Sequence, residues 1–263
     1  MSKRDQRIIL FNTTVKMAEK LNTVEKTKSI LKTTQLNEKY NYEFILEKYK
    51  SNIQKLYVAI KNVVNVYNKD TIDLALEMKS NGLNPLVLNL ASDYMPGGGC
   101  RKGAMAQEEQ LYYCSDYDLI LGLHNKNKYY PLDHTKLEFI LSTGITVLRR
   151  GNYTWLDNPV RFDFLALPGL RKPELVNNKY SPADLHTMKK KIESIFLLGA
   201  VEGYRSLLLG ALGCGAYENP PDEVVAIYKE MLGKYRQHFD VINFAVLSVG
   251  SNNPNFTKFA TLK

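Results

Sequence analysis

Residues 96–109 read PGGGCRKGAMAQEE and combine a triple glycine with two adjacent carboxylates. Glycine lets the backbone adopt positive φ values and approach a ligand closely. The carboxylates, Glu108 and Glu109, follow close behind, and such a pair could exchange protons with whatever the loop holds. The run therefore predicts a site that cleaves a nucleotide-linked bond, although a glycine cluster by itself is also typical of a turn.

The segments on either side of this run predict a ligand crevice. Residues 84–91 are apolar and lie between turn residues, which indicates a buried strand. Residues 71–78 have apolar side chains at helical spacing and end at Asn81-Gly82, a helix stop. Residues 104–114 contain good helix formers, and residues 119–121 are expected to extend that helix. The glycines thus lie at the carboxyl end of a strand, where open α/β sheets bind their ligands.

A second glycine loop follows another predicted strand. Residues 206–212 are apolar and lead into Gly213-Cys214-Gly215-Ala216, and the segment from Asp222 onwards predicts a helix. Successive backbone N–H groups in such a loop form anion-binding nests. The loop matches neither the dinucleotide-binding Gly-x-Gly-x-x-Gly pattern nor the P-loop pattern. A tight turn that needs small residues is the alternative interpretation.

Other apolar segments predict the remaining strands and helices of an α/β domain. Strands are expected at residues 139–141, 145–148, 162–167 and 241–247, and a helix at 188–204. The first two of these strands are expected to pair across a turn at residues 142–144. Helices that alternate with apolar strands predict a largely parallel sheet with helices on both faces, and the strand pair makes the sheet mixed.

Residues 1–68 differ from the rest and predict an N-terminal helical extension. Apolar residues recur at helical spacing over residues 8–21 and 42–67, with a linker at 33–37. The catalytic domain is then expected at residues 69–263. The extension is expected to cap the core of that domain, and a partner-binding arm is the alternative.

The two glycine motifs resemble a known family. Gly97-Gly98-Gly99 followed by Gln107-Glu108-Glu109 is similar to the signature of microbial-type poly(ADP-ribose) glycohydrolases, and residues 209–220 resemble that family's phosphate loop. The resemblance runs from about residue 70 to about residue 250. It implies a macrodomain-like three-layer α/β/α fold with a mixed central sheet and a helical N-terminal part. It also implies hydrolysis of ribose–ribose bonds with ADP-ribose as the product and no cofactor.

The resemblance also implies a role for each motif residue. By position, Glu109 matches the catalytic glutamate and Glu108 the neighbour that positions the scissile ribose. The residues expected to bind substrate are Asn89, Gly97, Gly98, Gly99, Gln107, Gly213, Cys214, Gly215, Ala216 and Tyr217. Within that set, the first glycine loop is expected to contact the distal ribose and phosphate, and the second to bind the diphosphate. Asn89 is expected to contact a ribose, and Tyr217 to pack against the substrate.

The adjacency of the two glutamates limits their chemistry. Glycosidases generally place two carboxylates about 5 Å or more apart around the scissile bond. Neighbours on a helix diverge by about 100°, so they cannot easily flank a bond in that way. We therefore expect Glu109 to transfer protons and Glu108 to hold a hydroxyl. A thiol nucleophile at Cys100 or Cys214 is the alternative, but the sequence shows no base beside either residue.

Composition limits the domain size, the cellular location and the metal-binding capacity expected of the protein. A chain of 263 residues with 44% hydrophobic residues suits one large α/β domain or a domain with an extension. We expect no membrane association, because no stretch approaches the ~20 apolar residues of a membrane span. Three cysteines that do not form a disulfide pattern favour an intracellular location, cytoplasmic or nuclear. The four histidines and three cysteines lack zinc-ligand spacing, so no metal is expected.

Charge widens the range of partners. The net charge of +8 favours polyanions, which include poly(ADP-ribose), ADP-ribosylated macromolecules and nucleic acid. Three functions stay open at this point. The first is a poly(ADP-ribose) glycohydrolase, the second a mono-ADP-ribosyl hydrolase acting on protein or DNA, and the third a macrodomain that binds ADP-ribose without cleaving it.

Overall fold

The computed structural model describes residues 1–27, 37–248 and 254–262. Apart from Asn37, which begins a strand, the linker predicted at residues 33–37 lies outside the described residues. Within these ranges, no helix is long and apolar enough to cross a membrane.

A mixed sheet forms the centre of the molecule. Over the described residues its seven strands are arranged in the order β1-β4-β5-β3-β8-β9-β2, and β6 and β7 form a separate two-stranded sheet. The strands are β1 (Asn37–Tyr40), β2 (Val63–Tyr67), β3 (Leu86–Leu90), β4 (Phe139–Arg149), β5 (Trp155–Leu167), β6 (Leu175–Val176), β7 (Lys179–Tyr180), β8 (Ser206–Leu209) and β9 (Val241–Ala245). β5, β3, β8, β9 and β2 run parallel, whereas β4 pairs antiparallel with both β1 and β5.

Helices cover both faces of this sheet. They are α1 (Lys3–Thr27), α2 (Tyr42–Asn52), α3 (Thr71–Ser80), α4 (Gln107–Cys114), α5 (Tyr117–Ile120), α6 (Lys126–Tyr129), α7 (Pro182–Val201), α8 (Pro221–Tyr235) and α9 (Asn255–Phe259). One apolar core joins the sheet to α2, α7 and α8, and a second joins it to α1, α3, α4 and α5. The predicted three-layer α/β/α architecture with a mixed sheet is confirmed.

The central strand β3 shows how the sequence builds these layers. Leu86 and Leu88 enter the core beneath α7 and α8, while Val87 enters the core beneath α3 and α4. This alternation follows from the two-residue period of a strand. Both faces are buried, as expected for a parallel strand between helical layers. Asn89 therefore points to the same face as Val87, which is the face that α4 covers.

Two predicted elements differ from the observed ones around β4 and α4. Residues 139–149 form one strand instead of a strand pair, and the residues predicted to turn the chain form a register shift between Ser142 and Ile145. Gly144 has φ +72° there and donates its N–H to Asp163 Oδ1 at 2.8 Å, as in a bulge that bends a long strand. The predicted extension of α4 through residues 119–121 is also wrong, because α4 ends at Cys114 and α5 follows separately.

The helical prediction for residues 42–67 is wrong after residue 52. α2 ends there, and residues 63–67, which read VVNVY, form the edge strand β2 beside β9. β-branched residues favour the extended backbone over a helix. The strands β1 and β2 therefore both lie before residue 69, where the sequence places the start of the catalytic domain. The domain division itself stays a prediction, since it concerns independent folding.

Helix α1 packs against α4 through buried groups. Phe11 lies in the same core as α4 and is 5% exposed. Thr14 is buried and donates its hydroxyl to Tyr113 O at 2.9 Å, and it accepts a hydrogen bond from Arg149 Nε at 2.9 Å. The N-terminal helix thus packs into the same helical layer as α4, the helix that contains both glutamates.

Replacing Phe11 tests this continuity. Phe11→Ala leaves a cavity between α1 and α4, so we expect the free energy of unfolding to fall by about 3 kcal/mol. Ile9→Ala is the matched control, because Ile9 is 50% exposed on the same helix and should cost less than about 0.5 kcal/mol. Urea unfolding of the two variants measures the difference, and equal stabilities would show that α1 is not part of the core.

Candidate active site

Both glycine loops line one cavity at the carboxyl ends of the parallel strands. The cavity has a volume of about 1340 Å³, and its lining includes Gly98, Gly99, Glu108 and Glu109 from the first motif. Gly213, Gly215, Ala216 and Tyr217 line it from the second motif. Folding therefore brings together segments that are more than a hundred residues apart, as the sequence predicts.

Glu108 lines this cavity and is held by backbone amides. Its Oε2 accepts a hydrogen bond from Ser92 N at 2.7 Å, and its Oε1 accepts one from Gly97 N at 3.1 Å. The side chain is only 3% exposed. Because each carboxylate oxygen has two lone pairs, Glu108 retains the capacity to accept a further bond from a ligand hydroxyl.

Glu109 is held by the same loop, but it bonds to Gly99, whereas Glu108 bonds to Gly97. Its Oε1 accepts a hydrogen bond from Gly99 N at 2.8 Å. Glu109 lines the cavity with an exposed fraction of 8%. The two carboxylates thus diverge along the first turn of α4, and each is bonded to a separate glycine of the loop.

The middle glycine of the loop cannot be replaced by a larger residue. Gly98 has φ +51°, and a Cβ there would lie 2.5 Å from Glu109 Oε1 and 3.0 Å from Glu108 Oε2. Gly97 also has positive φ and is closed in by Tyr112. The glycines are therefore needed for direct contact with the carboxylates, in addition to the predicted contact with substrate.

Gln107 and Asn89, both expected to bind substrate, form hydrogen bonds inside the protein. Gln107 accepts a bond from Leu90 N at 2.8 Å and donates one to Leu88 O at 2.8 Å, so its amide continues the backbone pairing of β3. Asn89 is 0% exposed and donates to Glu108 Oε1 at 3.4 Å. Asn89 does not line the cavity, whereas Gln107 does, and substrate binding by either residue stays a prediction. Both residues position α4 and its glutamates.

The second glycine loop is shaped by one buried amide. Asn219 is 2% exposed and donates to the carbonyls of Leu170, Gly213 and Tyr217. Gly213 has φ +74°, and a Cβ there would lie 2.5 Å from Asn219 Nδ2. No described residue accepts a hydrogen bond from the N–H groups of residues 215–217. These three residues line the cavity, and their N–H groups have no acceptor within the described ranges that would compete with an anion.

Cys214 does not line the cavity, in contrast to its neighbours in the loop. Its Sγ points to Leu212 O at 3.6 Å, and its N–H is already bonded to Ala211 O. Burial raises the pKa of the Cys214 thiol to about 12, and burial likewise raises that of Cys100 to about 12. Burial thus favours the protonated form of both thiols, which argues against the thiol-nucleophile alternative.

A network missed by the sequence analysis joins the two loops. The Tyr217 hydroxyl donates to Asp93 Oδ1 at 2.8 Å and accepts from Arg171 Nη2 at 2.8 Å. Arg171 also pairs with Asp93 and stacks on the Tyr217 ring, with 4.5 Å from its Cζ to the ring centroid. His134 Nε2 lies 2.8 Å from Asp93 Oδ2. Asp93 and Arg171 each follow the carboxyl end of a strand, a signal that could have found them.

The pKa values of Asp93 and Glu108 shift in opposite directions. Burial disfavours the charged form of Asp93, but its hydrogen bonds outweigh burial and hold its pKa well below the usual range. The donors are Arg171, His134 and Tyr217. For Glu108 burial dominates over the amide hydrogen bonds, and the charge of Glu109 adds to it, so the pKa of Glu108 rises to about 8. Among the described residues no cluster of His, Cys, Asp and Glu could hold a metal ion.

Comparison with known proteins identifies the family. A family model described as the catalytic domain of microbial-type PARG, where PARG is poly(ADP-ribose) glycohydrolase, matches residues 8–150. The matched region is more than half of the 263-residue chain. The chain belongs to the microbial-type PARG family. This membership confirms the predicted family and the predicted glycosidase class. No curated protein sequence matches the PARG-family chain.

Solved structures of similar fold are bacterial PARGs. The structure of PARG from Thermomonospora curvata has a TM-score of 0.83 and 22% identity, and the match covers 98% of this chain and 100% of that one. The same enzyme bound to the inhibitor ADP-HPD has a TM-score of 0.80, 21% identity and coverage of 98% and 99%. PARG from Deinococcus radiodurans in complex with ADP-ribose has a TM-score of 0.76, 23% identity and coverage of 87% and 94%. The PARG-family chain shares the fold of these proteins.

Replacing Gly98 tests whether the loop fixes the carboxylates. In Gly98→Ala the added methyl group must displace Glu109, so we expect kcat/KM to fall by about a hundredfold, the cost of a misplaced catalytic group. Gly82→Ala is the matched control, because Gly82 has φ +78° with nothing within 4 Å of the added Cβ. It has the same backbone strain but should keep full activity. If both variants lose activity equally, the strain and not the contact is responsible.

The raised pKa of Glu108 predicts a pH dependence of stability. A carboxyl whose pKa is higher in the folded state binds its proton more tightly there, so its contribution to stability falls as pH rises through that interval. The interval runs from the ordinary value of 4.5 to about 8. We expect the wild type to lose stability relative to Glu108→Gln over that range in urea unfolding series. A constant difference would contradict the shift.

Proposed function

We propose that the chain hydrolyses the ribose–ribose O-glycosidic bonds of poly(ADP-ribose) and releases ADP-ribose, with Glu109 as general acid and base. The observation that carries this proposal is the cavity shared by Glu109 and the free amides of residues 215–217. An ADP-ribose unit has a diphosphate at its centre and the scissile sugar at one end. A site for it therefore needs an anion-binding loop and a proton donor facing the same space.

The diphosphate is proposed to lie on the second glycine loop. The N–H groups of Gly215, Ala216 and Tyr217 border the cavity and have no described acceptor, and such a group of amides binds anions. The Tyr217 ring, which contacts Arg171 and whose hydroxyl bonds to Asp93, is proposed to pack against the sugar. ADP-ribose is the ligand in the Deinococcus radiodurans complex, which supports this choice of ligand.

The reaction uses Glu109 twice. The protonated carboxyl donates to the leaving 2′ oxygen as the C1″–O bond breaks, and the anomeric carbon develops oxocarbenium character. A water then attacks that carbon and gives its proton to the Glu109 carboxylate, which restores the acid. The net change is addition of one water across one glycosidic bond. We propose that Glu108 accepts a hydrogen bond from a ribose hydroxyl and thereby orients the sugar.

The first test separates catalysis from binding. Glu109→Gln keeps the carbonyl oxygen that accepts from Gly99 N but removes the exchangeable proton, so we expect kcat to fall by about a thousandfold. Affinity for ADP-ribose, measured by calorimetry, should stay near that of the wild type. Glu47→Gln, an exposed glutamate on α2, is the control. Full activity of Glu109→Gln would contradict the proposed role of Glu109, whereas a wild type that binds ADP-ribose without turnover would leave only binding as the function.

The same assay decides between substrates. Release of ADP-ribose is measured from poly(ADP-ribose), mono-ADP-ribosylated protein and ADP-ribosylated DNA. The proposal predicts that the polymer is cleaved fastest. Faster release from protein or DNA would favour the mono-ADP-ribosyl hydrolase alternative, in which the net charge of +8 would serve to bind nucleic acid.

A further inference from the structure

Part of the cavity has no task in the proposed reaction. The volume of about 1340 Å³ exceeds the roughly 300–1,000 Å³ typical of sites for a single small ligand. Its lining also includes residues of an outer rim, defined here as Tyr94, Lys102, Met105, Leu123 and Lys126. None of them contacts Glu108 or Glu109 by hydrogen bond.

The outer rim exposes apolar groups to solvent. Tyr94 is 56% exposed, Met105 is 67% exposed and Leu123 is 47% exposed. Large side chains that are exposed and grouped at the mouth of a cavity mark a binding surface. An aromatic ring and a polarisable thioether suit a flat aromatic base, because bases stack on aromatic side chains with little regard to sequence.

The outer rim also holds two cations without a partner carboxylate. Lys126 Nζ lies 4.5 Å from the centroid of the Tyr94 ring, and Lys102 is exposed. Neither lysine forms an ion pair with any residue in the described part of the chain. Unpaired lysines at a cavity mouth favour phosphate groups. A ligand with both a base and a diphosphate would therefore match the exposed apolar side chains and the two lysines of the outer rim.

Helix α1 fixes the turn that carries Lys102 and Met105. Arg4 Nε donates to Lys102 O at 2.7 Å, and Arg7 Nε donates to Gly103 O at 2.8 Å. Gly103 has φ +71°, and a Cβ there would lie 2.5 Å from Arg4 O. The turn is thus held directly against the N-terminal helix. These contacts give the helix a role at the cavity in addition to its packing on α4.

The position of this turn indicates which end of the substrate the rim meets. Glu109 is bonded to Gly99, and the turn returns to Gly99 through the bond from Ala104 N to Gly99 O at 3.1 Å. The turn therefore borders the cavity beside Glu109. In the proposed reaction Glu109 donates its proton to the leaving oxygen, so that oxygen lies beside Glu109 and next to this turn.

We propose that the outer rim binds the leaving unit, which is the nucleoside diphosphate-linked sugar on the far side of the scissile bond. Lys102 and Lys126 bind its diphosphate, and Tyr94 and Met105 contact its base. This inference rests on the proposed function and deepens it. The enzyme then recognises two consecutive units of the polymer, one on each side of Glu109.

The test compares two substrates that differ only in the leaving group. One is poly(ADP-ribose), and the other is ADP-ribose with a 4-nitrophenyl group on its 1″ oxygen, which lacks the second diphosphate and base. For the double variant Lys102→Ala with Lys126→Ala, we expect kcat/KM on the polymer to fall by about tenfold, since exposed charges contribute modestly. The variant should keep most of its activity on the nitrophenyl substrate, and Tyr94→Ala should show the same split.

A remote variant controls for net charge. Lys229→Ala removes an exposed lysine of α8 on the opposite face of the sheet and should affect neither substrate. The fall of kcat/KM with salt on the polymer should also become shallower in the rim double variant, because fewer phosphate contacts release counterions.

The outcomes are distinguishable. Equal losses on both substrates would overturn the inference, because the rim would then act on the anchored unit. An unchanged rate on the polymer would also overturn it. If the wild type cleaves neither substrate, the proposed function itself fails.

Discussion

The structure depends on the contact between a glycine loop and two consecutive carboxylates. Glu108 and Glu109 are both almost buried, and a buried carboxylate requires hydrogen-bond donors in place of water. Gly97 N and Gly99 N supply them, and Gly98 passes between the two carboxyl groups with no room for a side chain. The conformation of the glycine loop and the positions of the two carboxylates therefore depend on each other.

This constraint extends outward to the rest of the cavity. The Gln107 side chain hydrogen-bonds the start of α4 to the end of β3. These bonds fix the position of the two glutamates relative to the sheet. The strand after β3 in the sheet, β8, brings the second glycine loop beside the first. Tyr217 and Asp93 then join the loops directly. The proton donor and the anion-binding amides are thus positioned by neighbouring parallel strands.

The sequence predicted elements with strong local patterns and failed where distant contacts decide. The strands β3, β8 and β9 and the helices α3, α7 and α8 follow from apolar periodicity and helix-end signals. The helix predicted over residues 53–67 is wrong because its apolar spacing outweighed the β-branched run at 63–67, which pairs with β9 as a strand. At the site, residue type pointed to the glutamates and glycines, but nothing local shows that Asn89 bonds to Glu108 or that Arg171 meets Tyr217.

The most direct test of the account is a crystal structure of the Glu109→Gln protein with ADP-ribose. The account predicts diphosphate oxygens within about 3.2 Å of the N–H groups of residues 215–217. It also predicts the distal ribose against residues 97–99, with its anomeric oxygen beside the side chain at position 109. A ligand in another cleft, or a ribose turned away from that side chain, would contradict the account.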